Sequence, residues 1–297
     1  MPKQELLVRN LKVSFSTPEK ELIAVRGISY QLNQGETLAL VGESGCGKTV
    51  SALSILRLIE EPPGKIISGE ILFDDKDLLK LTKKELQDHR GKDIAMVFQN
   101  PMTSMNPVLT IGEQIIETLL RHTPLSRKEA KEKSLKLLEQ VEISSPKEKL
   151  DQYPHQLSGG MRQRAMIAMA LACSPRILIA DEPTTALDVL IQAQILDLLK
   201  KIKKETQMSI LLITHDLGVV AEIAKRVMVM YAGEIVETGL VRDLFQSPLH
   251  PYTIGLMKSI PELKPATKKK SKLNEIPGTV PSLSQIPSGC PFHPRCP

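Results

Sequence analysis

The sequence contains no tryptophan, and aromatic residues make up only 3% of its 297 positions. Because single-stranded nucleic acids are commonly bound by stacking their bases on aromatic side chains, this scarcity argues against a nucleic-acid partner. The net charge of +5, from 39 basic and 34 acidic residues, is mild and does not change that expectation.

Long apolar runs are also missing from the sequence. No run approaches the roughly 20 residues that a helix needs to cross a bilayer, and the first residues, from Met1, do not open a signal peptide. Four cysteines, one of them inside a glycine-rich motif, do not form a disulfide framework. With 41% hydrophobic and 25% charged residues, the composition is that of an ordinary soluble protein. We therefore expect a cytosolic protein that is free to dock onto a membrane protein.

The strongest signal is a glycine-rich motif between a predicted strand, residues 37–41, and a predicted helix, residues 50–58. The motif fits the pattern G-x-x-x-x-G-K-[ST] and consists of Gly42, Glu43, Ser44, Gly45, Cys46, Gly47, Lys48 and Thr49. In such a P-loop, backbone N–H groups and the helix N-terminus bind nucleotide phosphates. Lys48 is then expected to reach the β- and γ-phosphates and Thr49 to bind Mg²⁺. The motif does not match the dinucleotide-binding pattern G-x-G-x-x-G. If Gly45 and Gly47 were its first two glycines, the third would fall at Val50.

Strand and helix patterns alternate along much of the chain, which predicts an α/β fold with a largely parallel sheet. Residues 6–15 alternate apolar and polar side chains, as an antiparallel strand does. We therefore predict a P-loop NTPase core over residues 1–260, with an antiparallel β subdomain and an inserted helical subdomain at about residues 100–165. Residues 261–297 form an irregular C-terminal extension, whose lysine run is most simply a solvated linker. Further strands are predicted at 28–32, 69–73, 94–98, 176–180, 209–214, 226–231 and 234–237, and helices at 110–120, 127–141, 161–173, 189–206 and from 217.

Two carboxylates follow the apolar strand that ends at Ala180. In P-loop NTPases the aspartate at this position holds Mg²⁺, and we assign that role to Asp181. Glu182 comes next and is placed to orient or deprotonate an attacking water. The alternative is that both carboxylates only cap a helix. It is weaker because a nucleotide bound at the P-loop requires carboxylates for Mg²⁺ binding and for hydrolysis.

A second glycine motif, Leu157-Ser158-Gly159-Gly160-Met161, opens a predicted helix. Ser158 as the helix N-cap, together with the two glycines, makes a backbone donor site for an anion. At this point the sequence resembles the ATP-binding-cassette (ABC) family, whose signature reads L-S-G-G-Q, and Met161 departs from the last position. The resemblance implies an ABC-type nucleotide-binding domain that binds ATP and Mg²⁺, with Ser158, Gly159 and Gly160 among the residues that contact nucleotide.

Other ABC landmarks follow in the expected order. The resemblance implies that Gln99 is the Q-loop glutamine, with a part in Mg²⁺ binding and hydrolysis, and that His215 is the switch histidine that contacts the γ-phosphate. It also implies a nucleotide contact for Asp188 of the D-loop, residues 186–188. Phe15 stands where the family places an aromatic residue against adenine, and an ordinary core position is the alternative for it.

Two stretches narrow the resemblance to the ATPases of dipeptide, oligopeptide and nickel importers. They are the Q-loop region, residues 97–107, and parts of the tail, residues 247–253 and 276–281. In that family the Q-loop region touches the membrane subunit, and Met102 and Met105 are expected to supply a flexible hydrophobic contact.

The implied protein is a peripheral ATPase on the cytoplasmic side of the membrane. Its expected partners are integral-membrane permease subunits, a second ABC ATPase subunit, the same or paralogous, and indirectly a substrate-binding protein. We expect it to power import of di- or oligopeptides, with nickel as an alternative solute. The rival class, a soluble ABC ATPase acting on nucleic acid or ribosomes, carries a long coiled-coil insertion or a second cassette, whereas this sequence has a short helical insertion and one P-loop.

The two cysteines of the tail, Cys290 and Cys296, resemble the start of a cysteine-rich segment that holds an iron–sulfur cluster in some importer ATPases. A four-iron cluster needs four thiolates, but Cys46 lies in the P-loop and Cys173 on an apolar helix. We therefore expect Cys290 and Cys296 to ligate a 4Fe–4S cluster only in a longer form of the chain. A disulfide and two free thiols remain as alternatives.

Overall fold

The computed structural model describes residues 3–185, 187–259 and 276–297. Within these ranges the chain forms two compact units. The first unit comprises residues 3–5, 32–36 and 77–212, and the second comprises residues 6–31, 37–76 and 213–297. The lysine run predicted to be a solvated linker, from Lys264 to Lys272, lies outside the described residues.

The strands of the described residues are β1 (Gln4–Ser16), β2 (Glu21–Asn33), β3 (Thr37–Val41), β4 (Gly64–Phe73), β5 (Lys76–Asp77), β6 (Ile94–Val97), β7 (Ile177–Asp181), β8 (Ser209–Thr214), β9 (Arg226–Tyr231) and β10 (Glu234–Leu240). The helices are α1 (Lys48–Ile55), α2 (Lys83–His89), α3 (Pro101–Ser104), α4 (Ile111–His122), α5 (Arg127–Gln140), α6 (Pro146–Leu150), α7 (Gly159–Leu171), α8 (Val189–Thr206), α9 (Leu217–Ile223), α10 (Val241–Gln246) and α11 (Pro251–Lys258).

Most of a four-stranded sheet, in the order β2-β1-β4-β5, lies in the second unit. Strand β1 pairs antiparallel with β4, from Leu6 opposite Phe73 to Phe15 opposite Gly64. The apolar side chains of Leu6, Val8, Leu11 and Val13 are fully buried, and the pairing shifts register twice, between Arg9 and Lys12 and between Lys12 and Val13. The predicted antiparallel strand is therefore confirmed.

Strand β3, which precedes the P-loop, also lies in the second unit, where the strand order is β10-β9-β3. Strand β3 runs parallel to β9, with Leu38 opposite Arg226 and Val41 opposite Val229, and β10 returns antiparallel to β9. Every residue of β3 is buried, which explains its continuous apolar run. The P-loop follows this buried strand directly, and α1 follows the P-loop.

The first unit contains β6 and β7 as parallel neighbours, with Ile94 opposite Ile177 and Val97 opposite Ala180. All residues of both strands are buried. Helices α4, α5 and α7 pack on one another in the same unit. Arg164 of α7, which is 7% exposed, donates to the backbone oxygen of Val141 at 2.7 Å, so α7 is tied to the end of α5.

The structure adds five short helices that the sequence did not predict, namely α2, α3, α6, α10 and α11. Each has four to eight residues, too few for a periodic apolar face to be recognised. Several begin at a local cap instead; Asn100, for example, accepts a hydrogen bond from the backbone N–H of Met102 at 2.9 Å. Within the described ranges, the structure has no helix whose length and apolar character would let it cross a membrane.

We expect Thr110→Ala to destabilise the first unit by about 1 kcal/mol, because Thr110 Oγ1 accepts from the Glu113 N–H at the start of α4. Equilibrium unfolding in urea measures the effect. The control is Ser144→Ala, which removes an exposed hydroxyl of the same unit that caps no helix. Equal midpoints for Thr110→Ala and the control would contradict a stabilising cap.

Candidate active site

The P-loop approaches neighbouring backbone so closely that two of its positions have no room for a side chain. A Cβ atom at Gly42 would lie 2.2 Å from the backbone oxygen of Met230, and one at Gly47 would lie 2.6 Å from that of Ala24. Gly47 also has a φ of +104°, in the left-handed region. Gly42 and Gly47 are therefore required by packing and by backbone conformation, before any ligand is considered.

Lys48 is directed onto the P-loop itself. Its side chain is 5% exposed, and Nζ donates to the backbone oxygens of Gly42 at 2.8 Å and Glu43 at 2.9 Å. Ser44, Gly45 and Thr49 are exposed along the same loop. The ammonium group is thus held within the loop whose outer residues face solvent.

Cys46 does not present its thiol to the solvent side of the loop. It is fully buried, and burial raises the pKa of its thiol, although the ammonium of Lys48, 3.8 Å from the sulfur, acts in the opposite direction. The predicted nucleotide contact of Cys46 is therefore limited to its backbone. Cys173 is half-buried, and burial also raises the pKa of its thiol.

These features fit a nucleotide phosphate. Gly47 is the N-cap of α1 and has no side chain to cover the helix terminus, where an anion is favoured by the backbone dipoles. Lys48 adds a fixed positive charge, and the exposed hydroxyl of Thr49 begins the first turn of α1. Hydroxyl and carboxylate oxygens such as those of Thr49 and Asp181 are the ligand type that Mg²⁺ prefers.

The predicted catalytic carboxylate lies in the first unit and is held by two donors. Gln99 Nε2 and Thr185 Oγ1 each donate to Oε2 of Glu182 at 2.8 Å. Glu182 also has a φ of +47°, an uncommon conformation for a residue with a side chain. Asp181, which ends β7, is 1% exposed. The structure therefore brings Gln99 and Glu182 together, whereas the role of Thr185 was not predicted.

The second glycine motif has the predicted cap. Ser158 is the N-cap of α7, and its Oγ accepts from the Met161 N–H at 3.3 Å. A Cβ at Gly160 would lie 2.9 Å from Cγ2 of Ile191, so α7 and α8 approach closely there. Gly160 thus has a packing role as well as the predicted nucleotide contact.

Three further residues predicted to contact nucleotide lie at the ends of regular elements. Asp188 is the N-cap of α8 and accepts from the Ile191 N–H at 2.9 Å. His215 is exposed directly after β8, and Phe15 is half-buried near the end of β1. Their contacts with nucleotide stay predictions.

Cys290 and Cys296 are free thiols on exposed residues of the tail. Across residues 3–185, 187–259 and 276–297 there is no group of three or more histidines, cysteines or acidic residues arranged to hold a metal ion. The iron–sulfur cluster of a longer chain stays a prediction.

Comparison with known proteins identifies the family. The sequence profile described as "ABC transporter" matches residues 25–185, and the one described as "Oligopeptide/dipeptide transporter, C-terminal region" matches residues 236–297. The chain belongs to the ABC transporter family. It is an ABC-type ATPase, and its fold is that of a P-loop ABC nucleotide-binding domain, as the glycine motifs predicted.

Two relatives of this ABC ATPase are similar over nearly its whole length. The dipeptide transport ATP-binding protein DppD of Bacillus subtilis is 55% identical over 292 residues, which cover 98% of this chain and 86% of the relative. The oligopeptide transport ATP-binding protein OppD of the same organism is 54% identical over 287 residues, which cover 97% of this chain and 80% of the relative.

A solved structure supports the fold. The ATP-binding cassette MJ0796, in a dimeric post-hydrolysis state bound to ADP and Pi, superposes with a TM-score of 0.72 at 29% identity. The match covers 80% of this chain and 99% of that chain.

We expect Gly160→Ala to destabilise the protein by roughly 1–3 kcal/mol, because its Cβ forces Ile191 out of place. Thermal unfolding, followed by circular dichroism, measures the change. Gly159→Ala is the matched control, since a Cβ there meets only Leu187 at an ordinary 3.9 Å. If both variants unfold at the same temperature, the contact between α7 and α8 does not constrain Gly160.

Proposed function

We propose that this chain is the ATP-hydrolysing subunit that powers import of di- or oligopeptides through an ABC transporter. The observation that carries the proposal is the match of residues 236–297 to the C-terminal region of oligopeptide and dipeptide transporters, on the same chain as the match of residues 25–185 to the ABC transporter profile. The names of the two Bacillus relatives support a peptide rather than nickel as the solute. The same relatives give no support to an ATPase that acts on nucleic acid or ribosomes.

In this proposal, separate residues of the chain bind the phosphates and the Mg²⁺ ion. Backbone N–H groups of Gly42 and of residues 44–49 bind the phosphates, and Lys48 neutralises part of their charge. Thr49, Asp181 and Gln99 hold Mg²⁺, which when bound offsets the negative charge on the phosphate oxygens.

Water attack on the terminal phosphate depends on Glu182. Its carboxylate orients the water and accepts its proton, while Gln99 and Thr185 fix the carboxylate through Oε2. His215 contacts the γ-phosphate, and Phe15 lies against adenine. Glu182 follows the buried strand β7 directly and has a left-handed backbone conformation, of the kind that is often found at active sites.

The complete site needs a second ATPase subunit, either a second copy or a paralogue. Ser158, Gly159 and Gly160 of one subunit then contact the nucleotide held by the other, and Asp188 lies at the same junction. Exposed apolar side chains at the start of α8, Val189 at 81% and Leu190 at 76%, fit a surface that a second subunit covers.

Permease subunits contact the segment after Gln99. Here the structure corrects one expectation, because Met105 is 3% exposed and belongs to the core, so it is not available for a surface contact. Met102 at 48% and Val108 at 74% are the exposed apolar side chains of this segment. The chain then works at the cytoplasmic side of the membrane, with the substrate-binding protein acting on it only through the permeases.

Uptake of radiolabelled di- and oligopeptides, measured in a strain that lacks this gene, tests the function. The wild-type chain should restore uptake, and Glu182→Gln should not, because it keeps the phosphate site but lowers ATP turnover by about 100-fold or more. Glu148→Gln, an exposed carboxylate of the same unit, is the matched control and should restore uptake. Peptide uptake that persists without the gene, or that Glu182→Gln restores fully, contradicts the proposal.

Met102→Glu should leave the isolated chain folded and able to bind ATP, because the side chain is half-exposed. It should reduce the amount of co-expressed permease that co-purifies with the chain, since a charge is then buried in an apolar contact. Leu249→Glu, which changes an 82% exposed apolar residue elsewhere, is the control. Equal recovery of permease with both variants removes Met102 from the interface.

A further inference from the structure

The end of the chain is anchored in the second unit by an aromatic cluster. Phe292 is 2% exposed, and its ring centroid lies 5.3 Å from that of Tyr231 and 5.4 Å from that of Tyr252. The rings of Tyr231 and Tyr252 are 4.6 Å apart. The sequence has four tyrosines and five phenylalanines, so this cluster, which we call the tail anchor, uses a third of its aromatic side chains. Buried aromatic contacts of this kind hold a segment that has little regular structure of its own.

Arg295 extends the tail anchor to the P-loop. Its side chain is 6% exposed, and Nη1 lies 3.0 Å and 3.2 Å from the two carboxylate oxygens of Glu43. The same nitrogen is 3.4 Å from the Tyr231 hydroxyl, and Nε donates to the backbone oxygen of Pro277 at 2.9 Å. Burial alone would lower the pKa of Arg295, but its bonds to Tyr231 and Glu43 raise the pKa overall, so the guanidinium stays charged.

Glu43, the second residue of the P-loop, is held at its carboxylate, its backbone N–H and its backbone oxygen by three different parts of the second unit. Its side chain binds Arg295 of the tail, and its backbone N–H donates to the Tyr252 hydroxyl of α11 at 2.9 Å. Its backbone oxygen accepts from Lys48 Nζ at 2.9 Å. The tail therefore acts on the backbone that also positions the phosphate-binding lysine.

We propose that Arg295 is a positioning residue for nucleotide binding, and that the docked tail preorganises the P-loop through Glu43. The inference rests on the proposed function only in that the P-loop must bind nucleotide. A loop held in its binding conformation loses less entropy when the phosphates bind, so affinity is higher than for a loop that must first be ordered. Releasing Arg295 also leaves the partly buried carboxylate of Glu43 without its charged partner.

A purely structural role for Arg295 gives a different expectation. In that case the tail only covers Tyr231 and Tyr252, and loss of Arg295 lowers stability without changing the affinity of the folded protein for nucleotide. The two roles are separated by measuring affinity and stability on the same variants.

The test is isothermal titration calorimetry of Mg²⁺-ADP binding to the full chain, with melting temperatures recorded in parallel. Arg295→Ala and Glu43→Gln should each weaken ADP binding by about fivefold or more. The double variant should bind no more weakly than either single variant, because both remove one interaction. Arg295→Lys should restore part of the affinity, since lysine supplies the charge without the planar fork of arginine.

Arg9→Ala is the matched control, because Arg9 forms an exposed ion pair with Glu70 at 3.5 Å in the same unit and should leave ADP affinity unchanged. Wild-type affinity in both single variants, or additive losses in the double variant, would overturn the proposal. If Arg295→Ala does not fold, Glu43→Gln decides, since it leaves the tail anchor intact. Failure of the wild-type chain to bind ADP would instead contradict the proposed function.

The coupling between nucleotide binding and tail docking can also be measured by proteolysis of the tail. If the docked tail favours nucleotide, bound nucleotide must favour the docked tail by the same factor. Chymotrypsin cleavage after Phe292, which needs release of that buried ring, should therefore be slowed by ADP in the wild type and not in Glu43→Gln. Cleavage that ADP leaves unchanged in the wild type would also overturn the coupling.

Discussion

Two backbone oxygens, those of Met230 and Ala24, leave no space for a side chain at Gly42 and Gly47. Met230 belongs to β9 and Ala24 to β2, so the backbone of the P-loop at Gly42 and Gly47 is constrained by the strands that surround it. The direction of α1 and the position of Lys48 follow from that backbone. A rigid loop of this kind provides a phosphate site whose geometry does not depend on the ligand to form it.

The meeting of Gln99 and Glu182 follows from strand register. Val97 lies opposite Ala180 in the parallel pair of β6 and β7, and Gln99 and Glu182 each follow two positions later. Parallel strands end at the same edge of a sheet, so residues 83 positions apart in sequence become neighbours. The segment that begins at Asn100 leads directly into α3, so the surface proposed to meet the permeases begins one residue after Gln99, whose side chain donates to the carboxylate of Glu182.

The sequence was most informative where one pattern was both long and uniform. The helix at residues 189–206 and the strand at residues 209–214 were predicted with the observed bounds, because continuous burial or a long periodic face left little choice. The exposure of Met105 was predicted wrongly, because the sequence pattern of a methionine near prolines does not distinguish a solvent-facing side chain from a buried one. Thr185 had a usable signal, a hydroxyl three residues after Glu182. Arg295 had none, since its partner Glu43 is 252 residues away and only the folded chain brings them together.

The unequal burial of the four cysteines has a practical consequence for observing this molecule. Thiol reagents react with accessible thiolates, and the buried Cys46, with its raised pKa, is a poor target. Cys173 is partly shielded, whereas Cys290 and Cys296 are exposed at either side of Phe292. A maleimide dye added to the unmodified protein would therefore mark the tail and leave the P-loop untouched. The native chain thus carries its own handle for following the movement of its C-terminal segment by fluorescence.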